Sequence, residues 1–126
     1  MSKNVLIVED NEKNLKLIQV ILSSFKYRTL TATDGEEGVR LARENLPDLV
    51  LMDIQMPKMD GVTAMKALQA DKRTAHIPVI ALTSYAMKGD RERLLDFGFF
   101  DYIAKPIQKN AFMEIVERAL KQALAK

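Results

Sequence analysis

The chain contains no cysteine, which removes disulfide frameworks, thiolate nucleophiles and zinc–thiolate centres from the possible chemistries. Long apolar stretches are missing too. The opening Met1-Ser2-Lys3-Asn4 leads straight into a short hydrophobic run that stops at Glu9, too short for a signal peptide or a membrane span. Charge of one sign is not concentrated anywhere: 19 Lys and Arg are interspersed with 17 Asp and Glu, for a net +2. Without a clustered basic stripe, a nucleic-acid partner is not expected. The single histidine, His76, precedes a strand start and reads as a loop residue. Glycine and proline are few (5 and 4), and no repeat, linker or low-complexity stretch is visible. A soluble, cytoplasmic protein is expected, with one domain over residues 1–126, no output domain, and neither nucleic acid nor membrane as a partner.

What is present alternates. With 126 residues and 48% apolar content, a chain can bury about two-thirds of its unfolded surface. Apolar runs Val5 to Val8, Leu49 to Met52, Val79 to Leu82 and Tyr102 to Ala104, with a short β-type stretch over residues 29–32, are each followed by a helical pattern. In the first helix, over residues 11–25, Leu17, Ile18, Ile21, Leu22 and Phe25 recur at helical spacing. Asp34-Gly35 opens the second helix, which carries Val39, Leu41 and Ala42 and stops before Pro47. A loop over 55–61 leads to a third helix through Met65 and Leu68. A fourth lies around 90–97 and is stopped by Gly98. The last, over 111–124, presents Phe112, Ile115, Val116, Ala119 and Leu120 on one face.

Five βα units with near-continuous apolar strands imply a parallel sheet covered on both faces. Right-handed crossovers in so short a chain favour a flavodoxin-like (βα)5 doubly wound sheet of strand order 2-1-3-4-5. Its switch point then falls between the strands that end in Glu9-Asp10 and Asp53. The next two strands end in Thr83-Ser84 and Lys105-Pro106, on the same edge.

Taken singly, each of these residues has an ordinary alternative. Asp10 could cap the following helix, as could Thr83 or Ser84, and Lys105 could be a solvated surface charge. For Asp53, directly after four large apolar residues, burial would be costly, and structure and function weigh evenly. Together they read differently. Three carboxylates at one switch point repel one another unless a cation sits among them. Mg²⁺ (or Mn²⁺) suits such a place, taking one or two carboxylates and completing its shell with water and phosphate oxygens. Asp53, on the middle strand, is then positioned to attack phosphorus and form an aspartyl-phosphate. Asp10 and Asp53 hold the metal, and Glu9 holds a metal-bound water. Lys105 supplies fixed positive charge and Thr83 a hydrogen bond to the phosphoryl group. A cis Lys105–Pro106 bond is expected because the loop must aim the lysine into the site, against a base rate of about 5–6% for X–Pro bonds.

The set Glu9-Asp10, Asp53, Thr83, Tyr102 and Lys105-Pro106 resembles the receiver domain of two-component response regulators. The likeness covers the whole chain. The segments VLIVEDNEKNLKL, LMDIQMPKMDG and AHIPVIALTSYAMKGD are most similar to DivK-type single-domain regulators and hybrid-kinase receivers. The resemblance implies phosphotransfer from a histidine kinase or histidine phosphotransferase onto Asp53, with Mg²⁺ on Asp10, Asp53 and the Gln55 backbone carbonyl. It also implies a switch in which Thr83 moves toward the phosphoryl group and Tyr102 turns inward, altering the binding of a downstream protein target. A monomer or weak dimer is expected. Leu15 and Pro106-Ile107, beside the acid pocket, are expected to dock the phosphodonor. The face holding Tyr102 and the Phe99-Phe100 pair is expected to bind the target, with one of the two phenylalanine rings in the core. Three positions depart from the family pattern: Ser84 where alanine is usual, Gly38 where alanine is usual, and Phe99-Phe100 where a small polar pair is usual.

Other function classes fit less well. A haloacid-dehalogenase-like phosphatase needs a second aspartate two residues after the nucleophile, where Gln55 stands. A flavodoxin-type FMN carrier needs a hydroxyl- or glycine-rich loop after the first strand, where Glu9-Asp10-Asn11 would repel the phosphate. A degenerate, purely scaffolding receiver stays open as an alternative, although every acceptor-site residue is present.

Overall fold

The computed structural model describes residues 3–56, 59–84 and 89–124. Residues 57 and 58 of the expected loop over 55–61, and residues 85–88 of the segment that follows Ser84, lie outside the described residues. The elements are β1 (Asn4–Val8), α1 (Glu12–Ser24), β2 (Arg28–Ala32), α2 (Gly35–Asn45), β3 (Leu49–Asp53), α3 (Gly61–Ala70), β4 (Val79–Thr83), α4 (Asp90–Asp96), β5 (Asp101–Ala104) and α5 (Lys109–Leu124). The strands form one parallel sheet of order β2-β1-β3-β4-β5, the flavodoxin-like arrangement expected from the alternation. Among the described residues, no helix is long and apolar enough to cross a membrane.

Both faces of the sheet are covered, and strand alternation divides the core in two. Leu6 and Val8 of β1 join Val50 and Met52 of β3 against α2, α3 and α4. Val5 and Ile7 join Leu49 and Leu51 against Ile18, Ile21 and Leu22 of α1 and Phe112, Val116 and Leu120 of α5. All five residues of β3 and all five of β4 are buried. A carboxylate at the end of β3 is therefore held in dry surroundings by neighbours on both sides.

Local chemistry sets the helix ends. Asn11 accepts from the Asn14 N–H at 3.0 Å to start α1, and Asp34 accepts from the Glu37 N–H at 2.9 Å to start α2. Glu37 in turn accepts from the Thr33 N–H at 3.0 Å, a variant of the reciprocal capping box. After α4, Gly98 adopts φ +105°, its N–H donating to Leu95 O at 2.9 Å and the Phe99 N–H to Leu94 O at 3.2 Å. These are the paired bonds of a Schellman stop, which favours glycine at this place. Gly38 has a different cause. A Cβ there would lie 2.7 Å from Val8 Cγ2, so α2 rests on β1 too closely for any side chain, against a helix-propensity cost of up to about 1 kcal/mol.

Boundaries differ from the sequence expectation in small, explicable ways. The first helix is shorter than expected at both ends, because Asn11 and Phe25 serve as its caps. The fifth strand starts at Asp101 and not Tyr102, because the Asp101 carboxylate is paired and so tolerates burial. The last helix starts at Lys109, and the Phe112 N–H donates to Gln108 O at 2.9 Å in its first turn.

Candidate functional site

The carboxyl ends of β1 and β3 adjoin at the switch point, and both deliver acid. Glu9 follows β1, its N–H donating to Ala32 O at 2.9 Å and its side chain fully buried. Asp10 beside it is exposed. Capping α1 falls to Asn11, so Asp10 does not serve there. Asp53 closes β3 at 1% exposure, and its Oδ1 accepts from the Gln55 N–H at 2.9 Å. One oxygen from each of Glu9, Asp10 and Asp53 lies within 4.8 Å of the others.

The counter-charge comes from the loop after β5. The Lys105 N–H donates to Thr83 O at 2.8 Å, and the Lys105–Pro106 peptide bond is cis. Lys105 Nζ lies 3.0 Å from Asp53 Oδ2 and 3.1 Å from Glu9 Oε1. It is also 3.1 Å from Glu9 Oε2, an ion-pair contact outside hydrogen-bonding geometry, so that buried oxygen has no hydrogen-bond partner among the described residues. Burial pushes the Glu9 carboxyl above its ordinary value, the Asp53 charge adds to this, and Lys105 pulls part of it back. Burial pulls the Lys105 ammonium down, but hydrogen bonds and charge from Asp53 and then Glu9 outweigh it and hold the group above the ordinary lysine value.

Three carboxylates against one ammonium leave two negative charges, and like charges this close repel one another unless a cation joins them. Hard oxygen donors with that residual charge fit a divalent cation such as Mg²⁺, with Asp10, the exposed member, open to solvent.

The remaining residues singled out in the sequence are distributed as follows. Thr83 ends β4, fully buried, one strand from Asp53. Gly89 is the N-cap of α4, so neither Thr83 nor Ser84 serves as a helix cap. Tyr102 is half-buried on β5, opposite Ala81. Leu15 on α1 and Ile107 after Pro106 are both half-buried against the α1–α5 core. Of the aromatic pair, Phe99 is 3% exposed in the core beside Leu94. That burial corrects its assignment to the partner surface. Phe100 is half-buried against the opposite core.

Two arrangements were not visible in the sequence. The Gln55 side chain crosses the site mouth, its Oε1 accepting from the Ser84 N–H at 3.4 Å. Asp101, at 5% exposure, is paired with Arg91 of α4 and Arg118 of α5. Periodicity places residues on a face but does not say which charged residue on another element they meet.

A family model described as the response regulator receiver domain matches residues 5–117. The chain is 46% identical over 123 residues to the polar-differentiation response regulator DivK of Brucella ovis, covering 98% of this chain and all of that protein. The same identity and coverage hold for DivK of Brucella anthropi. Among solved structures, the receiver domain of the sensor histidine kinase PA1611 from Pseudomonas aeruginosa, which has a magnesium ion coordinated in its active-site cleft, superposes with a TM-score of 0.88. It is 36% identical and covers 96% of this chain and 99% of that one. Vibrio cholerae chemotaxis protein CheY4 shares the fold at a TM-score of 0.88, with 23% identity, over 95% of this chain and all of that one.

Proposed function

Because this chain belongs to the response regulator receiver family of two-component signalling, we propose that it accepts a phosphoryl group on Asp53 and thereby changes which protein it binds. The observation that carries this reading is one geometry. A buried carboxylate at the switch point is held on one oxygen by the Gln55 N–H at 2.9 Å and on the other by Lys105 at 3.0 Å, beside two further acids.

In the transfer, an Asp53 oxygen attacks the phosphorus of a phosphohistidine. The P–N bond breaks as the P–O bond forms, and the leaving imidazole keeps the electron pair and takes up a proton from solvent. Mg²⁺ held by Asp10, Asp53 and the Gln55 carbonyl would supply the charge that offsets the phosphoryl oxygens. Lys105 is already within bonding distance of the acceptor and needs only to exchange a carboxylate oxygen for a phosphoryl one. Thr83, buried one strand away, supplies a hydroxyl to the same group. Tyr102 sits on β5 three residues before Lys105, and a change in Lys105 bonding reaches it along one short strand. The donor, a histidine kinase or histidine phosphotransferase working in the cytoplasm, docks on Leu15, Pro106 and Ile107 beside the acids. The face holding Tyr102 and Phe100 meets the downstream target.

Labelling with acetyl phosphate and Mg²⁺, followed by intact mass, tests the assignment. One phosphoryl group is expected per wild-type chain and none on Asp53→Asn. Wild-type labelling retained in that variant would refute Asp53 as the acceptor. Continuous release of inorganic phosphate at a high rate would indicate a phosphatase instead.

A further inference from the structure

Along α2, away from the acid pocket, runs a cleft of 450 Å³, closed by Met59 before α3 and by Arg73 after it. Its floor is Val39, buried at 5% exposure, and the half-buried Met59. Five charged side chains line it, and they are unevenly matched. Arg40 is paired with Glu44 at 2.8 Å, one charge against one. Arg43 and Arg73 share a single acid, Asp71. Arg43 Nε lies 3.2 Å from Asp71 Oδ2, and Arg73 reaches both oxygens, Nε to Oδ1 at 3.3 Å and Nη2 to Oδ2 at 3.0 Å. Two guanidiniums on one carboxylate leave one positive charge over. At the other end the exposed Glu36 has no charged partner among the described residues, which leaves one negative charge over.

The two unmatched ends stand a fixed distance apart. Glu36, Val39, Arg40 and Arg43 follow one stripe of α2, and seven residues of helix set the first about 10 Å from the last. That exceeds the screening length of about 8 Å at physiological salt, so Glu36 does not cancel the pull of the arginines on an anion. The Asp71 contacts engage Nε of Arg43 and Nε and Nη2 of Arg73. Among the described residues, both Nη groups of Arg43 and Nη1 of Arg73 have no acceptor. Asp71 orients the two guanidiniums while their side chains stay 42% and 63% exposed, so less freedom is lost when a further acceptor joins. Several oxygens on one centre, as in a phosphate, match such a fork. The carboxylate across the apolar floor asks for the converse, a flat body with two parallel N–H donors on one edge. Guanine has that edge.

We propose that the cleft along α2 binds a guanine nucleotide. Its phosphate lies on the free edges of Arg43 and Arg73, its base crosses Val39 and Met59, and its N1–H and N2–H donate to Glu36. A thioether suits contact with a flat ring, and the cleft's 450 Å³ falls within the range of about 300–1,000 Å³ for small-molecule sites. None of Glu9, Asp53 and Lys105 lines it, so this site stands apart from the phosphoryl-acceptor reading.

The test is a titration of the isotope-labelled full chain with GMP, followed by NMR in the absence of Mg²⁺, with AMP, guanosine and inorganic phosphate as comparators. GMP should shift the Val39 and Met59 methyl groups and the Arg43 guanidinium. It should bind at least about fivefold more tightly than AMP, the low end of what a bidentate pair discriminates between bases. Its advantage over guanosine should be about tenfold or more, from hydrogen bonds to charged groups, and should shrink as salt is raised. Arg43→Gln should remove most of that advantage, and because Asp71 stays bonded to Arg73 the variant keeps its local support. Glu36→Gln, on the exposed face, should retain GMP binding and erase most of the preference over AMP. Inorganic phosphate binding as tightly as GMP would show an adventitious ion only and overturn the proposal. Equal affinity for GMP and AMP, a preference that survives Glu36→Gln, or shifts confined to other faces would overturn it as well.

Discussion

Replacing Lys105 with methionine keeps most of the side-chain volume and removes the positive charge that, among the described residues, is bonded to Glu9 and Asp53. Those carboxylates are 0% and 1% exposed, and the lost contacts are 3.1 and 3.0 Å. Removing one partner from a buried ionic cluster costs about 3–5 kcal/mol. Glu9 has an escape that moderates this, since its carboxyl already sits above the ordinary value through burial and the Asp53 charge, and losing Lys105 pushes it further up. The folded variant therefore holds a proton on Glu9 more tightly than the unfolded chain does. Its penalty is full above the raised Glu9 value and shrinks as pH falls toward the unfolded value of about 4.3. The wild-type lysine behaves in the complementary sense. Its folded value is raised, so its contribution is complete below the unfolded value of about 10.4 and is lost only as pH rises through the folded one. Denaturant unfolding at about pH 8 should show a loss of about 3 kcal/mol, the lower end of the range, and at about pH 5.5 a clearly smaller loss. Added Mg²⁺ should restore more stability to the variant than to the wild type, because it takes over a neutralisation the wild type already has in part. An equal loss at both pH values, indifferent to Mg²⁺, would show that Lys105 acts by packing and that the charge balance drawn for the site is wrong.

Three further outcomes are expected. Mg²⁺ at about a hundred times its dissociation constant should stabilise the wild type by about 2.7 kcal/mol, and Asp10→Ala should remove most of that rise in melting temperature; an unmoved melting curve in the wild type would count against the cation site. Gly38→Ala should destabilise by about 1–3 kcal/mol despite alanine's higher helix propensity, because the new methyl meets Val8 at 2.7 Å; a more stable variant in urea unfolding would show that α2 can lift off β1 at little cost. The Asp71 carboxyl is held down to about 2 by its hydrogen bonds to Arg73 and by the Arg73 and Arg43 charges, so its contribution is present above the unfolded value of about 3.9 and is lost as pH falls toward about 2; Asp71→Asn should flatten the acid limb of the stability curve, and an unchanged limb would refute the linkage.

Much of the fold was legible because period and polarity agreed at every level. Near-continuous apolar runs could only be doubly covered parallel strands, and their polar ends then had to share an edge. Glu9, Asp10 and Asp53 meet because strand order alone brings β1 beside β3. Gly98 was readable as a stop because its left-handed backbone follows from local chemistry. What stayed hidden depends on distances between elements. Gly38 reads as a weak helix former until Val8 is placed against it. Phe99 and Phe100 face opposite cores, and alternation says that they must differ without saying which ring is sealed. Asp101 was left outside its strand because an acid at that position looks unfavourable until two arginines from distant parts of the chain close on it.

The strand order also divides the sheet into a stiff part and a compliant one. β3 is laddered on both sides, to β1 through Met52 and to β4 through Asp53, so the strand that carries Asp53 shifts only by breaking bonds in two directions. β5 is a margin of four residues laddered to β4 alone, and Tyr102 and Lys105 belong to it and to the turn beyond it. A short outermost strand with a charge at either end also offers a poor template for another chain to extend the sheet. The proposed phosphorylation at Asp53 would thus fall on a doubly laddered strand, and the proposed response of Tyr102 and Lys105 on and beside a strand that a single ladder holds.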